Sequence, residues 1–273
     1  MIVFGIIATR DSKYIRRAIE SILQLDEQLI TKIVILCDNY DFHYEYEKVD
    51  IIYHKFNYMS DVYLYLYTHI KENFDNNLYF YLLEDDDYIN KNEFENMVKK
   101  CIRFNLDGCF SFYDNYEYGN KNELFHFYKI RSFKKYFYKY VSFIDIVYFL
   151  TITKFIFHFE MGQLFYKIKF IDTENIHAYT SITHNYANFF ADWDVFIYTY
   201  LKMSNIMIFM HKIYTRTKVD SLYNDYNRIF NLTDEEYNQL MLDYYYLIFK
   251  DGLKKYFLGN SILLNKYKRI FLE

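Results

Sequence analysis

The sequence predicts an α/β fold in which a mostly parallel sheet carries helices on both faces, followed by a helical C-terminal extension. Three observations support this. Apolar runs of strand length alternate with helical stripes between Ile2 and Phe112. The run Leu78-Tyr79-Phe80-Tyr81-Leu82-Leu83 has the composition of a buried strand and ends abruptly in Glu84-Asp85-Asp86-Asp87. An earlier strand of the same kind closes on Asp38, so in a parallel sheet Asp38 and the acidic run meet at one edge, where open α/β sheets bind ligands.

Taken in order, Ile2-Val3-Phe4-Gly5-Ile6-Ile7 is the first strand. After Ala8-Thr9-Arg10-Asp11, Ser12 can cap a helix whose buried stripe is Ile15, Ala18, Ile19, Ile22 and Leu23. Arg16, Arg17 and Glu20 fall off that stripe and are assigned as solvated charges, not as site residues. Lys32 to Cys37 is the second strand, closing with Asp38-Asn39, and Asp50 to Tyr53 is a short third. Tyr63, Leu64, Leu66, Tyr67 and Ile70 mark a helix before the acidic strand. Phe94, Met97, Val98, Cys101 and Ile102 mark the next, which is expected to start near Asn90 or Asn92. Gly108 to Phe112 is a fifth strand, after which the regular alternation stops.

Tyr113 to Phe159 reads as a helical insertion or an acceptor-side lid, Gly162 to Lys167 resumes a strand-like pattern, and Phe189 to Phe196 introduces another helix. Thr233-Asp234-Glu235-Glu236 is a capping box for a helix that can run to Gly252. The segment Ile262 to Leu272 is amphipathic and basic, so peripheral contact with anionic lipid is an alternative to simple packing.

Composition narrows the function classes. The chain has 273 residues, 52% of them hydrophobic, with 34 Tyr, 28 Phe and no Pro, enough apolar material for a large core. A net charge of −4 without a sustained basic stripe leaves no nucleic-acid footprint. Cys37, Cys101 and Cys109 lack paired spacing and read as core thiols of a reducing compartment. No secretion signal opens the chain, and Asp145 and Lys154 interrupt its most apolar segment below the roughly 18 residues a spanning helix needs. The expectation is a soluble, cytoplasmic protein.

Four adjacent carboxylates repel one another unless a cation or hydrogen-bond donors hold them, and a hard divalent metal suits such an oxygen cluster. The alternative is a plain acidic turn favoured by the dipole of the following helix. Asp38 alone would be a turn or cap residue.

The ordered set of features resembles the family 2 type glycosyltransferases with a GT-A fold, over about Met1 to Leu222. Ile6 to Arg10 followed by Tyr14 to Leu23 looks like that family's opening strand and helix, and Asp38 matches its base- or ribose-binding aspartate. Leu83 to Ile89 looks like its DxD segment, Ala191-Asp192-Trp193-Asp194 like its ED-W-D helix start, and Arg216 to Leu222 like its late Arg-x-His-x-x-Ser-Leu segment. Glu84 stands in place of the first Asp of the DxD and Ala191 in place of the Glu. Lys218 replaces a common His, and Ala8 sits where a Pro is usual.

The resemblance implies transfer of a sugar from a UDP- or GDP-linked donor to a carbohydrate, lipid-linked or protein acceptor. A Mn²⁺ or Mg²⁺ ion would be held by Asp86 and Glu84. Ala8, Thr9, Arg10, Asp38, Asp85, Arg216 and Lys218 would contact the nucleotide-sugar, and Asp192 would be the general base of an inverting attack. It divides the chain into a transferase domain, 1–222, and a helical extension, 223–273. Within the domain, 1–112 is the nucleotide-sugar half, 113–160 an insertion and 161–222 the acceptor side. A nucleotidyltransferase would also bind Mg²⁺ through carboxylates but usually needs a Gly-rich or basic phosphate loop, which does not follow the first strand. A non-catalytic nucleotide-sugar or carbohydrate-binding module could keep the acidic run without a base, and Asp192 speaks against it.

Overall fold

The computed structural model describes residues 1–8, 12–38, 41–55, 59–115, 162, 164–173, 199, 202–203 and 205–217. The chain divides into two compact units, Met1–Lys218 and Val219–Glu273, and all described residues belong to the first. The expected C-terminal helices and most of the 113–160 segment lie outside the described residues.

Eight strands form one sheet in the order β3-β2-β1-β4-β7-β6-β8-β5. They are β1 (Ile2–Ala8), β2 (Ile30–Cys37), β3 (Val49–Tyr53), β4 (Tyr79–Glu84), β5 (Tyr88–Ile89), β6 (Gly108–Asn115), β7 (Leu164–Lys167) and β8 (Ile206–Arg216). The helices are α1 (Ser12–Leu23), α2 (Met59–Asn73) and α3 (Lys91–Arg103). β3, β2, β1 and β4 are mutually parallel, β7 is antiparallel to both β4 and β6, and β8 runs parallel to β6. Six strands therefore point one way, and only β7 and the two-residue β5 oppose them.

Alternation along the strands explains the layers. Phe4 and Tyr81 face α1 and α3, where they pack with Ile15, Ile19 and Phe94; the Tyr81 and Phe94 rings lie 4.8 Å apart edge to face. Gly5 faces the other way. A Cβ there would come within 2.8 Å of the Phe80 ring and 3.2 Å of Leu66, so this position lets α2 and β4 close onto β1. Tyr67 of α2 meets Phe80 edge to face at 5.5 Å. The sheet is thus apolar on both faces, as a parallel sheet covered by helices requires.

α3 ends with Asn105 in the left-handed region at φ 48°, while the Leu106 N–H returns to the Cys101 carbonyl at 2.9 Å. Cys37, Cys101 and Cys109 are all buried free thiols, as the sequence suggested. Burial, and then Cys101 beside it, pushes the Cys109 thiol well up, which keeps it unreactive.

Candidate active site

The parallel registers bring three strand ends together. Ala8 pairs with Cys37 and Ile7 with Glu84, so Ala8, Asp38 and Glu84 finish adjacent strands at the same edge. The Asp38 N–H donates to the Ala8 carbonyl at 3.3 Å, and the Asp38 side chain is exposed. Three of the expected site residues therefore stand side by side, as parallel β-α-β order dictates.

The acidic run leaves the end of β4 as a tight turn, closed by the Asp87 N–H donating to the Glu84 carbonyl at 3.2 Å. Unlike an ordinary solvated turn, it is buried: Asp85, Asp86 and Asp87 are 5%, 7% and 2% exposed. One carboxylate oxygen from each of Glu84, Asp86 and Asp87 can be chosen so that all three lie within 4.8 Å of one another. Hard oxygen donors converging at this spacing fit a Mg²⁺- or Mn²⁺-sized ion, whose charge would also relieve their mutual repulsion. Asp87, which belongs to the expected acidic run but was not named as a metal ligand, is part of this cluster.

Three elements hold the turn. From α1, the Arg17 guanidinium donates to the Asp86 carbonyl and, at 2.8 Å, to Thr217 Oγ1. Ser21 Oγ accepts the Ile89 N–H at 3.0 Å and donates to the Ala18 carbonyl at 2.7 Å. From the end of β8, the Thr217 N–H donates to Asp87 Oδ1 at 2.9 Å. β5 pairs antiparallel with β8, Tyr88 opposite Thr215 and Ile89 opposite Tyr214, and Asn90 N–H reaches the Ile213 carbonyl at 2.8 Å. Under the turn, Tyr81 donates its hydroxyl to the Gly162 carbonyl at 2.8 Å. Its phenol is held well above the usual range by burial, with the Asp87 carboxylate adding to the shift.

This corrects the assignment of Arg17 as a solvated charge. It lies off the apolar stripe of α1, but that side of the helix meets the acidic turn rather than water, and the guanidinium sits 4.9 Å from the centre of the Tyr88 ring. Arg16, by contrast, is exposed, donating to the His43 carbonyl at 3.0 Å.

Arg216 is the last residue of β8, one position before the contact with Asp87. Thr9, Arg10, Asp192 and Lys218 lie outside the described residues. Arg17, Ser21, Asp87 and Thr217 are the residues of this site that the sequence did not single out as site residues. Of these, Ser21 offered a faint signal as a polar residue between the apolar positions Ile19 and Ile22.

The strand order defines a mixed α/β protein with a mostly parallel sheet, and its C-terminal edge carries a cluster of carboxylates. No family model matches the sequence, and no curated protein matches it. Among solved structures, S. aureus TarS 1–349 in complex with UDP-GlcNAc is similar with a TM-score of 0.50 at 13% identity, over 81% of this chain and 60% of that one. TarS 1–349 alone gives 0.51 at 13% identity over 95% and 73%, and its complex with UDP gives 0.50 at 14% over 94% and 72%. The chain thus spans about 60% of the UDP-GlcNAc-bound TarS chain. At such identities the likeness is one of fold. No described helix is long and apolar enough to cross a membrane.

Proposed function

We propose that this protein is a metal-dependent glycosyltransferase that moves a sugar from a nucleoside-diphosphate sugar to an acceptor hydroxyl, with inversion. The observation that carries the proposal is the cluster of half-buried Glu84 with buried Asp86 and Asp87, at the strand edge that also carries Ala8 and Asp38. The fold likeness to TarS, whose structures include UDP-GlcNAc and UDP complexes, supports a uridine nucleotide donor. Residues 1–222 form the transferase domain in this proposal, and 223–273 a helical extension.

In this scheme Asp38 accepts hydrogen bonds from the nucleoside, while Ala8, Thr9 and Arg10 line its other side. Glu84 and Asp86 would hold Mn²⁺ or Mg²⁺, and Asp87, tied to Thr217, fixes the turn they project from. When bound there, the ion would supply Lewis-acid stabilisation of charge on the diphosphate leaving group. Lys218, following the Arg216-Thr217 segment, adds a point charge toward the phosphates, and Asp85 orients the sugar. Asp192 takes the proton of the acceptor hydroxyl as that oxygen bonds to the anomeric carbon and the bond from that carbon to the diphosphate oxygen breaks. Asp194, in the first turn of the same expected helix, serves its stability through the dipole.

The test is a thermal-shift panel of UDP-, GDP- and CMP-sugars with and without Mn²⁺, followed by turnover measurements on Asp192→Asn and Asp194→Asn. A ligand bound by the native state alone raises its apparent stability. We expect a Mn²⁺-dependent shift with a UDP-sugar. Asp192→Asn should retain that shift but lose transfer by a factor of roughly a hundred or more. Asp194→Asn should lose mainly stability. A shift without turnover in the wild-type chain would make it a binding module. Near wild-type turnover by both variants would remove this mechanism.

A further inference from the structure

The acidic turn poses a mechanical problem that its own backbone does not solve. Successive carboxylates at the end of β4 repel one another, and before any ion arrives only surrounding groups can keep three of their oxygens within 4.8 Å. The described contacts come from α1, early in the chain, and from the end of β8, late in it. The Arg17 guanidinium reaches both, through the Asp86 carbonyl and Thr217 Oγ1. The Thr217 N–H then returns to Asp87 Oδ1, closing a circuit from helix to turn to strand end.

The cost of this placement shows what it is for. Arg17 Nε is buried with no hydrogen-bond partner among the described residues. An unsatisfied buried donor is unfavourable, and a side chain off the apolar stripe could avoid that by swinging outward. It is held by the two bonds at the other end of the guanidinium and by the rings of Tyr88 and Tyr14, at 4.9 and 5.7 Å. Ser21, one helical turn further on, secures the next segment through the Ile89 N–H. Two side chains of α1, four positions apart, thus fix both sides of the acidic turn.

We propose that Arg17 is a positioning residue for the donor site: it docks the Glu84–Asp87 turn onto Thr217, so that the metal-binding carboxylates and the segment leading into Lys218 are presented together. The inference rests on the proposed function for the meaning of the site, but the docking is a property of the turn itself. In this role Arg17 acts through the Asp86 carbonyl and Thr217 Oγ1 rather than as a ligand of the ion. The β8 end thereby becomes part of the donor site.

Electrostatics gives a discriminating sign. If Arg17 were only a nearby positive charge, its removal would strengthen binding of a divalent cation, because a like charge would be gone. If it positions the carboxylates, removal weakens binding despite that gain, in the manner of outer-shell partners of metal ligands, whose loss costs roughly 10–100-fold in affinity.

The experiment uses the full chain as wild type, Arg17→Ala and Arg17→Lys, with Mn²⁺ alone as the probe. Mn²⁺ binding is followed by electron paramagnetic resonance, and amide hydrogen exchange is followed in peptides covering 84–89 and 213–217 without metal. We expect Arg17→Ala to raise the Mn²⁺ dissociation constant roughly 10–100-fold and to speed exchange at Thr217, leaving peptides of α2 unchanged. Arg17→Lys, which keeps the charge without the planar fork, should recover only part of both effects and serves as the variant if Arg17→Ala does not fold. Mn²⁺ binding as tight as wild type or tighter in a folded Arg17→Ala protein, or unchanged exchange at Thr217, overturns the inference. If the wild type itself binds no Mn²⁺, the metal-dependent function fails instead, and exchange at Thr217 alone decides the role of Arg17.

Discussion

The ends of β2 and β4 lie at one edge of one sheet, on either side of the end of β1, yet they are built in opposite ways. Asp38 ends β2 in the open, with an exposed side chain and a backbone N–H bonded to Ala8. Glu84 ends β4 at the mouth of a turn whose three aspartates are buried and which α1, β5 and β8 hold in place. Parallel topology explains why both acidic ends share one edge of the sheet. It does not explain why one of them is braced. Burying carboxylates is unfavourable unless donors or cations compensate, so the bracing at β4 marks the station where several negative charges must be kept in fixed geometry. A single carboxylate that accepts a hydrogen bond from a ligand needs no such support.

The comparison breaks most sharply at Asp86. Because its carboxylate is buried, the isosteric change Asp86→Asn is the informative one, removing charge while keeping shape. We expect loss of Mn²⁺-dependent UDP-sugar binding by roughly a hundredfold or more, with a folded protein by circular dichroism, since a neutral amide is a poor ligand for a hard divalent ion. Titration calorimetry with and without Mn²⁺ checks this. Undiminished metal-dependent binding would move the site away from the turn.

Much of this contrast is legible in the sequence, and the limits have physical causes. β1 to β4 and α1 to α3 follow from periodicity because each has either a continuous apolar run or a clear 3.6-residue stripe. Ala8, Asp38 and Glu84 could be placed at one edge because parallel order fixes strand direction without any side-chain information. β8 was not marked, although Ile206 to Arg216 is the longest strand in the described sheet. It follows a stretch without regular alternation, and register shifts against β6 interrupt its pattern. β5 has two residues, too few for a period. Arg17 shows the deeper limit. A helical stripe identifies the face of α1 that meets the sheet, but it says nothing about an element that arrives from the far end of the domain to cover another face. The partner Thr217 is separated from Arg17 by 200 positions, and no local pattern encodes that meeting.

A smaller effect is expected at Ser21, which tests the bracing without touching any acidic residue. Ser21→Ala removes the acceptor of the buried Ile89 N–H, and an unsatisfied buried donor costs about 1–3 kcal/mol. Chemical denaturation should show a loss in that range. The same variant should weaken Mn²⁺ binding less than Asp86→Asn does, because the carboxylates themselves remain. A Ser21→Ala protein as stable as wild type would mean that the bond to Ile89 contributes nothing to holding the turn.

A further test falls on Lys218, which follows Thr217 in the sequence. If it supplies a point charge to the diphosphate, rather than a metal ligand, it should matter in the presence and absence of Mn²⁺ alike. Lys218→Ala is expected to weaken UDP binding about tenfold under both conditions, equivalent to about 1.4 kcal/mol. An effect confined to the Mn²⁺-loaded protein would instead connect Lys218 to the ion.

The smallest expected effect on the protein itself is at Asp38. Its side chain is exposed, and the bond that ties this position to the sheet edge comes from its backbone N–H to the Ala8 carbonyl, which a substitution leaves in place. Asp38→Ala should therefore change folding stability by no more than about 0.5 kcal/mol, the usual range for a surface position. If Asp38 accepts a hydrogen bond from the nucleoside, the same change should cost UDP affinity several-fold. A water-exposed bond of this kind is worth about 1 kcal/mol, because the free carboxylate and the free ligand are both well hydrated. The loss should be equal with and without Mn²⁺, since Asp38 lies outside the cluster formed by Glu84, Asp86 and Asp87. Thermal melting and calorimetry on one preparation supply both numbers. A large loss of stability in Asp38→Ala would show that the β2 end is braced as well, and the distinction between the two strand ends would disappear. Unchanged stability with a metal-independent loss of affinity would sharpen it: the fold supplies the open carboxylate through topology alone, whereas the buried ones require contacts from three other elements.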